Sequence, residues 1–464
     1  MDYKLNFYRS KKFGNKYLIT TDHGSWLFLT KKEYNDLEKE KVNKNLFEKL
    51  ESEGMIITNK NQETIIKRNR LKYDFLNTGV SLHIIIPTLR CNIKCVYCHA
   101  SSRHIKEKNH DMDKETAKKT IDFIFQTPAK KITIEFQGGE PLLNFEIIKY
   151  IVKYAKEKNK KYKKDIDFAL VTNLMLMDEE KLGFLIKNNI GICTSLDGQK
   201  KVHNKNRAGY DKVVYWIKRI NKEYKKRSIK RFVGALVTTS RYSLKYYKEI
   251  IEEYRRLGFH SISMRDINYL GFAKGAFKKI GYNAEEYIDY WKKSIDYILK
   301  NNYKIQERML IILLKKIFWD VDAGFLDIRN PCGAGIGQLT YLYNGDIYTC
   351  DEGRAIKEDI FRLGNVKKNN YREIVTGKNV CAVCNASLLE NYICDDCIYK
   401  PYCGTCPVLN YSVSGNIVGR IPETWKCKVL KAQFDFIFDK ILNDKKARKK
   451  FINWFKGTGQ PKGI

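Results

Sequence analysis

Short apolar segments alternate with amphipathic helical patterns from about residue 81 to residue 265. Such alternation is typical of parallel βαβ units, in which each strand is followed by a helix that crosses back over the sheet. Strands are predicted at residues 82–87, 131–136, 167–172, 190–196, 231–238 and 260–264. These repeats predict an α/β fold built on a partial (β/α)6 TIM-like barrel, with its chemistry on loops at the carboxyl ends of the strands.

The pattern differs on both sides of this barrel. Residues 1–70 mix short β-like segments with helical patterns at 31–39 and 45–53, which predicts a small N-terminal α+β module. After about residue 275 the strand rhythm stops, and helices are predicted at 283–299 and 306–318 before glycine and cysteine become dense. The predicted regions are therefore the module (1–70), the barrel (75–275), a helical bridge (276–330) and a C-terminal domain stabilised by bound metal (331–440).

Length and composition exclude several classes of protein. The 464 residues leave room for about three domains at roughly 150 residues each. A content of 43% hydrophobic and 13% aromatic residues is too high for a largely disordered chain. No apolar run approaches the roughly 18 residues of a membrane helix, and residues 1–10 lack the apolar core of a signal peptide. We expect a cytoplasmic protein with no membrane partner.

The charge is strongly positive, with 86 lysines and arginines against 53 acidic residues and a formal net charge of +33. Such a charge attracts nucleic acid through its long-range field. The lysines, however, are spread from Lys4 to Lys462, without an arginine-rich arm or an aromatic repeat. In the helical pattern at 146–164 they alternate with buried-type isoleucines, as on an ordinary solvated face. We therefore expect no nucleic-acid partner.

The 13 cysteines carry more information than the charge. Thiols stay reduced in the cytoplasm, so clustered cysteines there indicate metal binding or catalysis. Cys193 stands alone in an apolar run and is predicted to be a small buried side chain. The other cysteines form three groups along the chain: Cys91, Cys95 and Cys98; Cys332 and Cys350; and Cys381, Cys384, Cys394, Cys397, Cys403, Cys406 and Cys427.

The first group lies in the loop directly after the first predicted strand, with the spacing Cys91-x3-Cys95-x2-Cys98. Structural zinc takes four nitrogen or sulfur ligands, whereas a [4Fe-4S] cluster held by three cysteines leaves one iron free for a small molecule. A zinc knuckle completed by His99 or His104 is the alternative.

A second motif, Gln137-Gly138-Gly139-Glu140-Pro141, follows the second predicted strand. Its glycines allow a close backbone approach, and its carboxylate can hold an ammonium group. On its own, this motif could be an ordinary strand-to-helix turn with proline at the first helical position.

Together, these two motifs resemble those of the radical S-adenosylmethionine (radical SAM) superfamily. The resemblance implies that Cys91, Cys95 and Cys98 ligate a [4Fe-4S] cluster whose fourth iron binds the amino and carboxylate groups of S-adenosylmethionine. It further implies that Tyr97 lies near the adenine. The segment that would bind the methionine amino group is Gly138, Gly139, Glu140 and Pro141.

Three later segments resemble the peptide-modifying branch of that superfamily: Thr172-Asn173, Ser195-Leu196-Asp197-Gly198 and the stretch from His203 to Arg207. This resemblance implies cofactor contacts from Asn173, from Ser195 and Asp197 to the ribose hydroxyls, and from Arg207 to the cosubstrate carboxylate. The alternatives are ordinary structural roles, with Asp197-Gly198 as a turn pair and Asn173 as a helix cap.

The C-terminal cysteines resemble those of the SPASM domain, which carries two auxiliary [4Fe-4S] clusters. By this resemblance the outer cluster is held by Cys394, Cys397, Cys403 and Cys427, and the inner cluster by Cys332, Cys350 and Cys406. Two departures stand out: Cys403 and Cys406 are separated by two residues instead of three, and the inner cluster lacks an obvious fourth ligand. The pair Cys381 and Cys384 could supply it, with Cys384 as our candidate, or that cluster stays open for substrate. One or two structural zinc ions are the alternative.

Asp351 corresponds to an aspartate that removes a substrate proton in the similar sulfatase-maturating enzymes, although it could instead cap a turn. The whole chain most resembles the maturase of His-Xaa-Ser peptide systems. This match rests on Leu82-His83-Ile84, Cys332-Gly333-Ala334-Gly335 and the segment from Tyr399 to Pro407.

The resemblance implies an enzyme that installs an oxidative modification or a crosslink in a ribosomally made precursor peptide, through hydrogen abstraction by a 5′-deoxyadenosyl radical. Expected partners are that small peptide and an external one-electron reductant of the flavodoxin or ferredoxin type. The module 1–70 is a candidate for binding the peptide leader as an added edge strand. One rival function is anaerobic sulfatase maturation by formylglycine formation, and another is that of a zinc-stabilised RNA-binding protein.

Overall fold

The computed structural model describes residues 3–319, 322–356 and 358–455. Its N-terminal part contains a three-stranded antiparallel sheet in the order β2-β3-β4 and a small β1-β5 pair. A capping box between Thr30 and Glu33 begins the first helix. The elements are β1 (Lys4–Leu5), β2 (Tyr8–Phe13), β3 (Lys16–Thr21), β4 (Trp26–Thr30), α1 (Lys31–Glu38), α2 (Lys44–Ser52), β5 (Ile56–Ile57) and α3 (Gln62–Tyr73).

The central part is the predicted barrel, and its six strands lie within a few residues of their predicted positions. All neighbouring pairs among them are parallel. The elements are β6 (Leu82–Ile85), β7 (Arg90–Cys91), β8 (Arg103–His104), α4 (Lys114–Ile124), β9 (Lys131–Phe136), α5 (Phe145–Tyr162), β10 (Asp165–Thr172), α6 (Glu179–Lys187), β11 (Ile190–Ser195), α7 (Lys200–Asn206), α8 (Tyr210–Lys226), β12 (Gly234–Thr238), α9 (Tyr247–Arg256) and β13 (Ser261–Arg265).

Successive side chains along a strand point to opposite faces of the sheet, and the two faces differ in burial. On β9, Ile132, Ile134 and Phe136 are completely buried under the helices, whereas Thr133 and Glu135 are half-buried on the opposite face. The predicted helix at 146–164 is α5, which buries its isoleucines, including Ile148 and Ile151.

The sheet continues beyond the sixth barrel strand, although the regular strand pattern of the sequence stops near residue 275. Its order is β14-β13-β12-β11-β10-β9-β6-β15-β16-β17, so the C-terminal part contributes three strands beside β6. The later elements are α10 (Gly271–Ile280), α11 (Ala284–Lys300), β14 (Gln306–Glu307), α12 (Arg308–Trp319), β15 (Gln338–Tyr341), β16 (Asp346–Tyr348), β17 (Arg362–Asn365), α13 (Tyr371–Val375), α14 (Lys378–Ala386), α15 (Pro407–Ser414), α16 (Trp425–Asn443) and α17 (Lys445–Asn453). Because β15 pairs in parallel with β6, the first barrel strand is shared with the cysteine-rich part.

One continuous apolar core joins the barrel, helices α11, α12 and α16, and part of the N-terminal module. The module is attached by hydrogen bonds from Trp26 Nε1 to the Ile317 carbonyl (3.0 Å) and from Thr20 Oγ1 to the Ile398 carbonyl (2.9 Å). It therefore packs directly against α12 and the cysteine-rich part. Within the described ranges, no helix has the length and apolar character needed to span a membrane.

Candidate functional site: the barrel mouth and the C-terminal cysteines

The loop that carries Cys91, Cys95 and Cys98 follows β6 at the barrel mouth, and its thiols are half-buried. Arg90 anchors this loop, since its guanidinium binds both carboxylate oxygens of Asp111 (2.8 and 2.5 Å). The pKa of Cys91 is raised to about 12, mainly by burial and to a smaller extent by the charges of Glu140, Cys95 and Cys98. The structure thus gathers the three thiols in one place, where a positively charged iron site would favour their thiolate forms.

The Gly138–Gly139 segment packs directly against the start of this cysteine loop. Gly139 N donates to the Thr88 carbonyl (3.1 Å), and Glu140 N donates to the Arg90 carbonyl (2.7 Å). Gly138 has a φ of +142°, and a Cβ atom there would lie 2.3 Å from the Thr88 carbonyl oxygen. A Cβ on Gly139 would lie 2.1 Å from the Arg90 carbonyl oxygen, so only glycine fits at both positions.

This packing makes Gly139→Ala a strong test of the loop geometry. The added methyl group must push the Arg90 carbonyl and the adjacent Cys91 away, which we expect to cost about 3 kcal/mol of unfolding free energy and most of the iron of the first site. Denaturant unfolding and iron analysis after anaerobic reconstitution would measure both effects. The control is Gly183→Ala in α6, where nothing lies within 4 Å of the added atom and a stabilisation of up to about 1 kcal/mol is expected. Equal stability and iron content in the two variants would contradict this interpretation.

Glu140 connects the glycine segment to the end of β10. Its carboxylate accepts hydrogen bonds from Thr172 Oγ1 (2.7 Å) and from the backbone N–H of Asn173 (2.8 Å). The side chain is 1% exposed, and burial raises its pKa to about 7. Glu140 therefore fixes two loops of the barrel mouth together, and its predicted contact with an ammonium group remains a prediction.

Tyr97, Asp197 and Arg207, predicted from three separate segments, form one buried network. The Tyr97 hydroxyl donates to Asp197, and Arg207 Nε lies 2.5 Å from the same hydroxyl. Arg207 also lies 3.5 Å from Asp197 and, through its NH1, 3.5 Å from the Cys95 sulfur. Burial raises the pKa of Cys95, and the positive charge of Arg207 opposes this shift. The network thus orients the cysteine loop and places a cation beside one of its thiols.

The remaining barrel candidates have different surroundings. Asn173 donates from Nδ2 to Asn92 Oδ1 (2.8 Å) within the cysteine loop, while its own Oδ1 caps the following turn at Met175 N (2.9 Å). Ser195 ends β11 and is half-buried. Asp197 is fully buried among Tyr97, Arg207 and the Thr238 N–H, so a contact with a ribose hydroxyl would require a rearrangement of this network.

The C-terminal cysteines fall into two apolar clusters that correspond to the predicted inner and outer groups. Cys332, Cys350 and Cys406 pack with Leu270, Val383 and Val408. Cys394, Cys403 and Cys427 pack with Leu389 and Ile421. Burial raises the pKa of each of these three thiols, and the charge of Cys397 adds a smaller increase to each. Cys384 lies in neither group: burial raises its pKa to about 11, and its charged neighbour is Cys381.

A direct contact joins the barrel mouth to the inner cysteine group. His99, next to Cys98, places Nε2 3.2 Å from Asp351 Oδ2, next to Cys350. Arg354 binds the same carboxylate (2.7 Å) and reaches the Ala100 carbonyl (3.4 Å). Burial alone would raise the pKa of Asp351, but Arg354 and His99 hold it well below its usual range. Asp351 is therefore a stable anion between the two sites, and its role as a base remains a prediction.

Several of these contacts escaped sequence analysis. Arg90 belongs to the segment Thr88-Leu89-Arg90-Cys91, which is part of the resemblance to His-Xaa-Ser maturases, but the sequence does not indicate its contact with Asp111. Thr238 ends a strand and belongs to no motif. The sequence suggests only a zinc-ligand role for His99. Within the described residues, no three histidine, cysteine or acidic side chains are grouped to hold a single metal ion. The three separate cysteine groups, with a glycine segment pressed against the first of them, fit larger iron–sulfur groups.

Residues 85–238 match the family model of the Radical SAM superfamily. This segment makes up most of the barrel and includes its cysteine loop, so the chain carries a radical SAM domain. The protein is an enzyme whose cofactors are a [4Fe-4S] cluster and S-adenosylmethionine. The cysteine-rich C-terminal part fits a SPASM-like domain with auxiliary clusters.

Three curated proteins illustrate the range of relatives. The Cysteine-type anaerobic sulfatase-maturating enzyme of Clostridium perfringens is 25% identical over 381 residues, 76% of this chain and 95% of the relative. The Radical SAM cyclopropyl synthase TigE of Paramaledivibacter caminithermalis is 23% identical over 423 residues, 86% of this chain and 82% of the relative. An uncharacterized protein of Methanocaldococcus jannaschii is 38% identical over 117 residues, and this chain spans 38% of its length.

Two solved structures share the fold. The structure titled native anSMEcpe with bound AdoMet aligns with a TM-score of 0.66 and 21% identity, covering 80% of this chain and all of that chain (100%). Streptococcus suis SuiB bound to precursor peptide SuiA aligns with a TM-score of 0.55 and 13% identity, covering 90% of this chain and 98% of that chain. The alignment with SuiB therefore extends beyond the barrel and the cysteine-rich part of this chain.

Proposed function

We propose that this enzyme installs an oxidative modification, such as a crosslink, in a ribosomally made precursor peptide, as in His-Xaa-Ser maturation systems. The observation that supports the proposal most is the contact of His99 with Asp351, which joins the barrel mouth to the inner cysteine group. A net oxidation of substrate needs a nearby acceptor for the electron that remains after hydrogen abstraction. A neighbouring auxiliary cluster meets that need.

When bound, the cluster and S-adenosylmethionine supply the hydrogen-abstracting 5′-deoxyadenosyl group, and the chain itself supplies orientation. Arg207 lies at the cysteine loop with a guanidinium that can bind a carboxylate in a bidentate manner. Glu140 and Thr172 hold the two adjacent loops in one arrangement. Buried Tyr97 keeps water away from this side of the cysteine loop.

The N-terminal module supports a peptide substrate. Because Phe13 and Lys16 close a two-residue hairpin, the backbone groups of Lys12, Ser10 and Tyr8 point away from β3. β2 is an edge strand, and Ser10 and Lys12 are exposed on it. An extended leader peptide can therefore add to this edge as a further strand.

Ser10→Pro tests this docking mode. Proline removes the outward N–H of Ser10 and leaves the β2–β3 ladder intact, so we expect leader affinity to fall about 3- to 10-fold, the equivalent of roughly one backbone hydrogen bond. Fluorescence anisotropy with a labelled leader would measure the change. Ser10→Ala, which loses only the hydroxyl contact with Tyr34 (2.9 Å), is the matched control. Equal leader affinity in the two variants would place the leader elsewhere.

The function itself is tested by anaerobic reconstitution with short peptides encoded beside the gene, followed by mass spectrometry. The proposal requires a mass loss of about two hydrogens for each modification. Sulfatase maturation is the second candidate, because two of the similarities described above concern proteins of that type. A peptide that carries the cysteine or serine motif of a sulfatase is the comparison substrate, and its sole conversion would replace the first candidate.

The proposal also includes an external one-electron reductant of the flavodoxin or ferredoxin type and a cytoplasmic location. Metal analysis separates the enzyme from a zinc-stabilised RNA-binding protein. Iron with acid-labile sulfide supports the enzyme, whereas stoichiometric zinc alone would exclude it.

A further inference from the structure

Three exposed lysines and two half-buried tyrosines form one surface at the barrel mouth, on segments that follow β11 and β12. Lys201 and Lys205 lie on α7, and Lys245 lies in the short 3₁₀ turn before α9. Lys201 Nζ lies 5.7 Å from the ring centre of Tyr246, and Lys205 Nζ lies 6.0 Å from that of Tyr242. Lys245 Nζ approaches both rings, at 5.8 and 5.2 Å. These five residues are called the lysine patch below.

The positive charge of the lysine patch has no acidic partner nearby. Within residues 3–319, 322–356 and 358–455, none of its three lysines forms an ion pair with a carboxylate. The neighbouring Lys200, by contrast, is paired with Asp211 at 2.6 Å. Unpaired cations that lie close together attract a surface of opposite charge and accelerate its association. The lysine patch is therefore suited to an anionic partner.

Buried side chains connect the lysine patch to the cysteine loop. The Asn206 carbonyl, at the end of α7, accepts a hydrogen bond from the N–H of Val96 within that loop (3.0 Å). The Asn206 side chain donates to Ser243 Oγ (3.2 Å) and accepts from Ser240 Oγ (2.8 Å). Asn206 and both serines are buried, and Ser243 lies two residues before Lys245. Both lysine-bearing segments are thus fixed to the loop through one small network.

Val96 adds an apolar contact to this surface. Its side chain, between the second and third cysteines of the loop, is 38% exposed. An apolar residue with polar and charged residues around it is typical of a protein interface. Interfaces between redox partners are among the smallest and weakest of these, so a few residues suffice. Nucleic acid is the other anionic occupant, but the lysine patch lacks arginine and the long stripe of cations that such binding uses.

We propose that the lysine patch is the docking surface of an acidic one-electron carrier protein that reduces the cluster of the cysteine loop. The inference rests on the external reductant of the proposed function and assigns the residues that receive it. The step is the transfer of one electron from the reduced carrier, which is oxidised, to that cluster, and no bond forms or breaks. A small reductant such as dithionite needs no docking surface, which makes the two kinds of reductant separable by experiment.

The test uses a variant with Lys201→Gln, Lys205→Gln and Lys245→Gln in the full chain, with flavodoxin as the probe. Binding of oxidised flavodoxin to the reconstituted enzyme, measured by biolayer interferometry, requires no turnover. We expect the Kd to rise at least about tenfold at low salt, because complementary charge accelerates association by about 10- to 1,000-fold. The difference should shrink at high ionic strength, which screens exposed charges.

A second measurement compares two reductants in the same variant. With photoreduced flavodoxin, the half-maximal rate of 5′-deoxyadenosine formation should require at least about tenfold more carrier. With dithionite, the rate should stay unchanged. The matched control carries Lys222→Gln, Lys225→Gln and Lys226→Gln, three exposed lysines at the end of α8. Because α8 leads to the start of β12, they lie at the end of the barrel opposite the mouth. This control loses the same charge and should behave as the unmodified enzyme does.

Equal flavodoxin affinity in the two triple variants would overturn the assignment of the docking surface. A parallel fall of the dithionite rate would also overturn it, because the lysines would then act on the loop or on the substrate. An unmodified enzyme that binds neither flavodoxin nor a ferredoxin, or an oligonucleotide that binds the lysine patch in their place, would exclude an acidic carrier. Failure of the proposed function is a separate result, in which dithionite supports S-adenosylmethionine cleavage but the precursor peptide stays unmodified.

Discussion

Replacing Cys95 by alanine is expected to lower the rate of 5′-deoxyadenosine formation by more than about 100-fold, because the loss of even an indirect partner of a metal ligand costs 10- to 100-fold. Cys95 lies between Cys91 and Cys98 in the loop after β6, and the Arg207 guanidinium approaches its sulfur at 3.5 Å. Its loss removes one of three thiols and also the partner of that cation. Anaerobic assays with dithionite and S-adenosylmethionine, read by chromatography, would measure the rate.

Cys381→Ala is the matched control for this variant. It also removes a thiol, but from an exposed position on α14, outside the cysteine loop of the barrel mouth and outside the two apolar clusters that contain the inner and outer cysteines. We expect it to form 5′-deoxyadenosine at the unmodified rate. Undiminished S-adenosylmethionine cleavage by Cys95→Ala would refute the placement of the cofactor site in this loop.

Replacing Cys394 by alanine is expected to separate two activities. Cys394 is 8% exposed in a small apolar cluster with Leu389 and Ile421, distinct from the cysteine loop at the barrel mouth. S-adenosylmethionine cleavage should therefore stay within about threefold, whereas formation of the modified peptide should fall by more than about 100-fold, since the outer group loses a ligand.

Parallel measurement of 5′-deoxyadenosine and of peptide product in the same reaction would reveal this difference. The comparison with Cys381→Ala again corrects for general effects of removing a thiol. Product formation at the unmodified rate in Cys394→Ala would show that the outer group is dispensable for the reaction. Parallel loss of both activities would instead indicate that the C-terminal part supports the fold of the barrel mouth.

The elements of the barrel were accessible from the sequence because each strand has an apolar run of ordinary length next to an amphipathic helix. The helix α5, for example, places Ile147, Ile148 and Ile151 on one face with lysines around them. Two-residue β14 and four-residue β15 lack such a signal. The pairing of β15 with β6 depends on contacts between distant parts of the chain, which local periodicity does not encode.

The site was predictable where chemistry depends on residue type and spacing, as for the three cysteines and the Gly138–Gly139 segment. Side-chain networks were not accessible in the same way. The structure shows that the Glu140 carboxylate accepts a hydrogen bond from Thr172. The Asp197 carboxylate contacts Tyr97 and Arg207. Such partners come from separate loops, and their geometry follows from strand register, which a motif cannot specify.

The position of β15 has a consequence for the order in which the protein assembles. Because this strand lies beside β6, the central sheet stays incomplete on the translating ribosome until residues 338–341 have emerged. The strand that leads into the first cysteine loop thus gains its second neighbour late, after a long loop has closed. Delivery of iron and sulfide to that loop should therefore follow synthesis of the C-terminal part, and fragments that stop short of it should capture the metal poorly.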